Sequence, residues 1–192
     1  MEQNWDYEPG RLTWHNQLPG EQAPWFGSRN KARIPISVLP PPDLSFEGPA
    51  IDIVDFYSTG CHAFFLSDRL VELIEKLDPG SLDHRPTSIK TIEAVIPFRV
   101  AMPARNLAAV DTTRTNISIE DKKYATEWIR RVRFPQGIVF RNADLSEIQS
   151  LSDRDAFGWY WSRELIDLAK ATGVRGVSTT SVLSKRATVD NF

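Results

Sequence analysis

The sequence predicts a single α+β domain with a mainly antiparallel or mixed sheet, two similar serine-capped helices and an irregular N-terminal arm. Two observations lead to this prediction. Two segments space their apolar residues as amphipathic helices do, and each of them follows a run rich in aromatic residues. Several short runs of β-branched and apolar residues elsewhere in the chain favour strands.

The first helix is predicted to begin after Ser67, which is a favourable N-cap residue. Asp68 suits the positive end of the helix dipole, and Pro79 with Gly80 ends the helix. One buried stripe along this helix is predicted from the spacing of Leu70, Leu73, Ile74 and Leu77.

The second helix repeats this plan. Ser162 is its predicted cap, Glu164 lies in its first turn and Gly173 closes it. Its buried stripe is predicted to consist of Leu165, Ile166, Leu168 and Ala169. We interpret the two units as a duplication within one domain, although capped amphipathic helices of unrelated origin also look alike.

Strands are predicted elsewhere, with one ambiguous segment. In 118–134 the helical spacing of apolar residues competes with alternation, and we predict a helix to about Trp128 followed by a strand. An interruption is expected at Pro97, since proline lacks a backbone donor. The other predicted strands are 34–39, a short one within 51–57, one or two within 89–102, then 108–111, 137–141 and an edge strand within 173–183.

The chain divides into three parts by composition. Residues 1–50 are rich in Pro, Gly and Trp and are predicted to wrap the body as an irregular arm, pinned by Trp5, Trp14 and Trp25. Residues 51–184 form the α+β domain, and residues 185–192 are expected to be a frayed tail.

Charge and cysteine content restrict the class of protein. Residues 1–96 hold 8 basic and 14 acidic residues, and the whole chain has a net charge of −2, so no strong positive field favours nucleic acid. Cys61 is the only cysteine and cannot form an intramolecular disulfide. No apolar run approaches the ~18 residues of a membrane span. We therefore expect a cytoplasmic protein that binds neither nucleic acid nor membranes.

Signatures of catalysis and metal binding are missing from the sequence. His15, His62 and His84 are isolated from one another, and Cys61 beside His62 would point to the opposite face of a strand. The chain has no G-x-S-x-G, P-loop or G-x-G-x-x-G motif. We expect no catalytic residues, no metal and no cofactor, while an enzyme with an unrecognised site stays a possible alternative.

The strongest local charge feature is a basic cluster formed by Arg130, Arg131 and Arg133, close to Trp128. Arginines beside an aromatic residue can contact phosphates and stack on bases. Three arginines make a small patch, however, and they equally suit a helix C-terminus or a solvated strand face. We do not expect nucleic acid as a partner.

Four segments in order resemble a bacterial immunity family of polymorphic-toxin systems, immunity family eleven, formerly a domain of unknown function. They are FFLSDRLVELIEKL, RVAMPARNLAAVDTTRT, RVRFPQGIVFR and WYWSRELIDLAKATGVRGV, which together span about residues 56–178. The N-terminal fifty residues have no counterpart, and the polar stretch 142–157 looks longer than the family's usual link. The resemblance implies a cytosolic α+β protein that binds one cognate toxin and blocks its active site or assembly.

The polar stretch supplies a candidate interface. An acidic loop can occupy the basic cleft of a toxin that acts on nucleic acid or nucleotides, and nearby aromatic side chains can anchor it. The candidate partner-binding residues are Asp144, Glu147, Asp153, Asp155, Phe157, Trp159 and Tyr160. Core packing of Trp159 or Trp161 is the competing interpretation. A toxin-modifying enzyme and an adaptor subunit with a constitutive partner are the alternative functions, and self-association is left open.

Overall fold

The computed structural model describes residues 11–16, 35–36, 40–58, 63–107, 118–124, 127–133, 150–153, 159–180 and 189–191. These residues form an α+β fold with a six-stranded mixed sheet and two helices. The predicted fold class is therefore confirmed.

The main sheet has the strand order β1-β2-β5-β6-β4-β3. Its strands are β1 (Arg11–Trp14), β2 (Leu44–Glu47), β3 (Phe56–Ser58), β4 (Phe64–Ser67), β5 (Leu82–Lys90) and β6 (Val95–Pro103). The contact of β2 with β5 is parallel and the others are antiparallel. The β5–β6 hairpin is the longest ladder of this sheet, with nine residue pairs from Leu82 opposite Pro103 to Lys90 opposite Val95.

One face of this sheet packs on a first apolar core. Alternation along each strand brings Phe65, Val100 and Ile89 to this face, where the ring of Trp14 meets the edge of Phe65 at 5.3 Å. Its buried members are Ile36, Leu44, Phe46, Ile53, Tyr57, Ala63, Phe65, Ile89, Phe98, Val100 and Met102.

The opposite face packs against two helices, α1 (Asp68–Leu77) and α2 (Arg163–Ala171). Ser67 Oγ accepts a hydrogen bond from Leu70 N at 3.2 Å, and Ser162 Oγ accepts one from Leu165 N at 3.0 Å. The helices bury the second core with residues of the sheet. Its members are Phe56, Leu66, Leu70, Val71, Leu73, Ile74, Leu82, Ala101, Trp159, Leu165, Ala169, Val174 and Val177.

Three smaller sheets complete the described part of the chain. The first has the order β11-β10-β7, in which β10 is antiparallel to β11 and parallel to β7. The other two are the antiparallel pairs β8–β9 and β12–β13. The strands are β7 (Asn106–Leu107), β8 (Ser118–Tyr124), β9 (Glu127–Arg133), β10 (Ser150–Asp153), β11 (Trp159–Trp161), β12 (Ser178–Thr180) and β13 (Val189–Asn191).

The helix predicted from residue 118 to about Trp128 is wrong. This segment is the β8–β9 hairpin, whose register runs from Ser118 opposite Arg133 to Tyr124 opposite Glu127. Its apolar positions fit both a helical and an alternating pattern, and cross-strand pairing, which a local window does not contain, decides between them. The register also places Glu120 opposite Arg131.

The chain ends contain more regular structure than the sequence predicts. The first fifty residues supply β1 and β2, so the main sheet crosses the boundary predicted at residue 50. Pro35 and Ile36 lie in no strand, although one was predicted over 34–39. The segment expected to fray, 185–192, contributes β13, because pairing with β12 satisfies its backbone groups.

Pro97 does not interrupt β6 as predicted. Because β4 pairs with β6 only from Phe98 onward, the strand loses no ladder bond to β4 at Pro97. The run 89–102 instead contains the end of β5, a turn and most of β6. Before β3, residues Ala50–Asp52 form a short 3-10 helix rather than a strand. The predicted strands 108–111 and 137–141 lie outside the described residues.

Candidate partner-binding surface

The helix-covered face of the sheet continues as a solvent-exposed strip near the end of the β5–β6 hairpin. Leu82 and Ala101 lie under the helices, and alternation puts Pro86, Val95 and Pro97 on the same face. These last three residues are exposed. The main sheet therefore offers a surface that none of its own helices covers.

The end of the hairpin exposes large aliphatic side chains. Ile92, in the loop between the strands, is 97% exposed, and Val95, the first residue of β6, is 66% exposed. Glu93 and Ala94 between them are also exposed. A single exposed aliphatic residue is ordinary, but two within one turn make an apolar contact point. We call residues 91–95 the hairpin tip.

Thr91 holds the backbone of the hairpin tip through both its main chain and its side chain. Its N–H donates to Ala94 O at 2.8 Å. Its Oγ1 donates to Ala94 O at 3.0 Å and accepts from the N–H groups of Glu93 and Ala94 at 3.1 and 2.9 Å. A threonine hydroxyl that bonds the following backbone in this way fixes a turn. The tip is thus an ordered loop.

Polar side chains from the end of β1, the start of β2 and the end of β5 form two pairs. Lys90 Nζ lies 2.8 Å from Asp43 Oδ1, and His15 Nε2 lies 2.7 Å from Ser45 Oγ. The hydrogen bond from Lys90, followed by its charge, holds the pKa of Asp43 below the ordinary value of 3.8. Since Lys90 is paired in this way, Glu93 contributes the unbalanced charge at the tip.

A buried carboxylate, Asp55, connects the two helical units. Its side chain accepts hydrogen bonds from Ser67 Oγ at 2.6 Å, from the backbone N–H of Arg175 at 2.8 Å, and from the guanidinium of Arg69. Arg69 also donates to the carbonyl of Gly173, beyond the end of α2, at 3.1 Å. This network ties the start of α1 to the segment after α2.

The environment of Asp55 keeps it ionised. Burial by itself raises the pKa of this carboxyl, but the hydrogen bonds from Arg69, Ser67 and the backbone of Arg175 outweigh burial and hold the pKa below 3.8. A carboxylate with all these donors already bound has little capacity left for substrate or metal. We therefore assign Asp55 a structural role and not a role in a reactive site.

The residues proposed from sequence for the interface are only partly described. Asp144, Glu147, Asp155 and Phe157 lie outside the described residues. Asp153 is the last residue of β10, opposite Leu107 in the parallel register with β7. Tyr160 lies in β11 and is half-buried.

Trp159 lies in the second core, and not at the surface where the sequence predicts a partner-binding residue. Its side chain is only 5% exposed, and its ring lies 4.6 Å from that of Phe64, 5.3 Å from Trp161 and 6.0 Å from Phe56. A tryptophan packed on three aromatic rings in this way is not accessible to a partner. The competing core interpretation holds for this residue.

Sequence reasoning missed the hairpin tip. Residues 89–102 were treated as strand with a break at Pro97, and the turn lies earlier. The signal in the sequence is the polar residues Lys90, Thr91 and Glu93, which lie close together near the start of this run. Among the described residues, no three His, Cys, Asp or Glu side chains lie close enough to hold a metal ion. Cys61 and His62 lie outside the described residues.

No protein-family model matches this chain, and no curated protein matches it either. Within the described parts of the chain, no helix has both the length and the apolar character needed to cross a membrane.

Proposed function

We propose that this chain is an immunity protein that binds one cognate bacterial toxin and neutralises it by a stoichiometric, noncovalent contact. The observation that carries the proposal is the hairpin tip, where Ile92 is 97% and Val95 is 66% exposed. Apolar side chains that a fold leaves in water gain free energy when a partner buries them. An ordered loop that presents such side chains loses little conformational entropy when it binds.

The toxin as the class of partner is supported by the sequence resemblance to the immunity family. That family supplies no catalytic residues that carry over to this chain. The proposal places the protein in the bacterial cytoplasm and requires no cofactor, nucleic acid or membrane.

A stable interface needs more surface than the hairpin tip alone. Specific complexes typically bury about 1,200 to 2,000 Å² in total. The exposed strip of the sheet with Pro86 and Pro97 adjoins the tip and adds contact area. The acidic stretch 142–157 remains a second proposed contact, in which Asp144, Glu147, Asp153 and Asp155 complement a basic cleft.

Co-expression with the protein encoded by the adjacent reading frame tests this function. We expect the full chain to restore growth that the toxin arrests, and the two purified proteins to elute as one complex on size exclusion. Protection should require about one copy of the chain per toxin, because a noncovalent inhibitor is consumed by binding. A toxin from an unrelated locus serves as the control and should not be neutralised.

Growth arrest in the presence of folded chain would overturn the proposal. Protection by far less than one copy of the chain per toxin molecule would show that the chain is an enzyme and not a stoichiometric inhibitor, because only an enzyme acts on many toxin molecules in turn.

An enzymatic alternative is favoured by one specific observation, the contact of Ser45 Oγ with His15 Nε2 at 2.7 Å. A hydroxyl bonded to an imidazole is the pairing of a nucleophile with its general base. Here the pair lies on the exposed part of the sheet, and the register places Lys90 opposite Ser45. The same geometry also suits a simple cross-strand hydrogen bond.

We expect Ser45→Ala to protect as well as the wild-type chain, because a binding protein does not need this hydroxyl as a nucleophile. Protection is measured by growth and complex formation by size exclusion. Loss of protection with an intact complex would show that Ser45 performs chemistry. Ser88→Ala is the matched control, since Ser88 is another half-buried serine on the same face of the sheet.

A further inference from the structure

We infer that the hairpin tip is a preorganised anchor that inserts Ile92 into an apolar pocket of the partner protein, beside a basic side chain that receives Glu93. This inference rests on the proposed function and adds the chemistry of the contact. The partner is thereby specified as a protein with an apolar pocket and a positive charge at the rim of that pocket.

Order in the unbound turn is the first step of the argument. Thr91 makes three hydrogen bonds through its hydroxyl and one through its N–H, all within residues 91–94. The strands on either side are paired up to Lys90 and Val95. Binding therefore has little loop entropy left to remove, and a preorganised loop binds more tightly than a flexible one for the same contacts.

The second step concerns the position of Ile92. With 97% of its surface exposed, this side chain makes almost no contact with its own fold. Its burial in a complex therefore gains the free energy of apolar burial without the loss of existing contacts. Ile96, the residue directly after the tip, already packs on the first core. The apolar contact available to a partner is therefore concentrated on Ile92 and Val95.

Charge decides which kind of partner fits. Asp43 lies 2.8 Å from Lys90 and balances its charge, whereas Glu93 takes part in none of the ion pairs among the described residues. The tip thus presents a negative charge next to its apolar residues. An anionic lipid surface attracts basic segments and disfavours this one, while a basic group on a protein pocket complements it.

The experiment measures the dissociation constant for a catalytically silenced form of the toxin from the adjacent reading frame, using the full chain. Ile92→Asp is expected to weaken binding by at least about 30-fold, since it loses a buried aliphatic anchor and buries a charge. Ile51→Asp is the matched control, because Ile51 is 75% exposed at a site outside the hairpin tip, and binding should be unchanged.

Two further pairs test the turn and the charge. Thr91→Val keeps the shape of the side chain but removes its hydroxyl bonds, and we expect about 5-fold weaker binding, which Thr91→Ser restores. Glu93→Lys is expected to weaken binding by about 10-fold, with the loss greatest at low salt, whereas Glu72→Lys on the exposed side of α1 should bind as wild type.

Each outcome has one interpretation. A complex that tolerates Ile92→Asp leaves the proposed function standing and overturns this inference. The absence of any complex with the toxin removes the proposed function and the inference with it. If Ile92→Asp instead abolishes sedimentation with phosphatidylglycerol vesicles, or abolishes a dimer of the isolated chain on size exclusion, the tip serves a membrane or a second copy and the inference fails.

Discussion

Replacing Asp55 with alanine is expected to lower the free energy of unfolding by about 3 kcal/mol, a value at the low end for removing one partner of a buried ion pair. The low end is appropriate because half of the Arg69 side chain is in solvent, where water screens its charge. The change also leaves the hydroxyl of Ser67 and the N–H of Arg175 without their acceptor. Chemical denaturation followed by circular dichroism measures the loss.

Asp43→Ala provides the matched control for this prediction. Asp43 also pairs with a cation, but both side chains of that pair are largely in solvent, at 47% for Asp43 and 62% for Lys90. We expect little change in stability, because exposed ion pairs contribute little. Equal losses for the two variants would contradict the role assigned to Asp55.

The contribution of Asp55 to the free energy of unfolding should also depend on pH. Its pKa in the folded protein lies below the ordinary value of 3.8, so the folded state favours the ionised form. The stabilisation is therefore fully present above that value and is lost as the pH falls through the folded pKa. The difference in stability between wild type and Asp55→Ala should shrink below about pH 4, and a difference that grows on acidification would contradict the assignment.

Trp159→Ala is expected to lower the free energy of unfolding by about 3 to 5 kcal/mol, as large aromatic deletions in a core do. The physical reason is the loss of ring contacts with Phe64, Trp161 and Phe56 in the second core. Thermal and chemical unfolding of the purified variant measure the effect.

Trp159→Phe is the control, because it keeps an aromatic ring in the same site and should lose much less stability. If Trp159→Ala instead keeps full stability and loses toxin binding, the residue belongs to the interface and its place in the core is wrong. The two properties separate cleanly because stability is measured on the isolated chain.

The two helices could be predicted from sequence because their signals are local. Capping residues, the 3.6-residue spacing and the terminating glycines all lie within about fifteen residues, and α1 and α2 have the predicted positions. The strands of 118–133 could not be assigned in the same way. Ala125, Trp128 and Ile129 satisfy helical spacing, and only the pairing of the two strands with each other decides the outcome.

The candidate site was harder to predict than the fold, because exposure is a property of the tertiary structure. Ile92 and Ile96 are the same residue type, yet one is 97% exposed and the other packs on the first core. For this reason the sequence misplaces both Trp159, which it predicts at the interface, and Ile92, which it predicts within a strand. An aromatic residue near an acidic loop lies in the core, and an isoleucine within a predicted strand is almost fully exposed.

The hydrogen bond from Arg175 to Asp55 joins residues 120 positions apart in the chain. During synthesis, the Asp55 carboxylate therefore lacks its last hydrogen-bond donor until residue 175 has been made. The apolar stripe of α1 can pack on Leu82 and Ala101 of the main sheet before α2 has been made. The link between the start of α1 and the segment after α2 is therefore completed only after all six strands of the main sheet have been made.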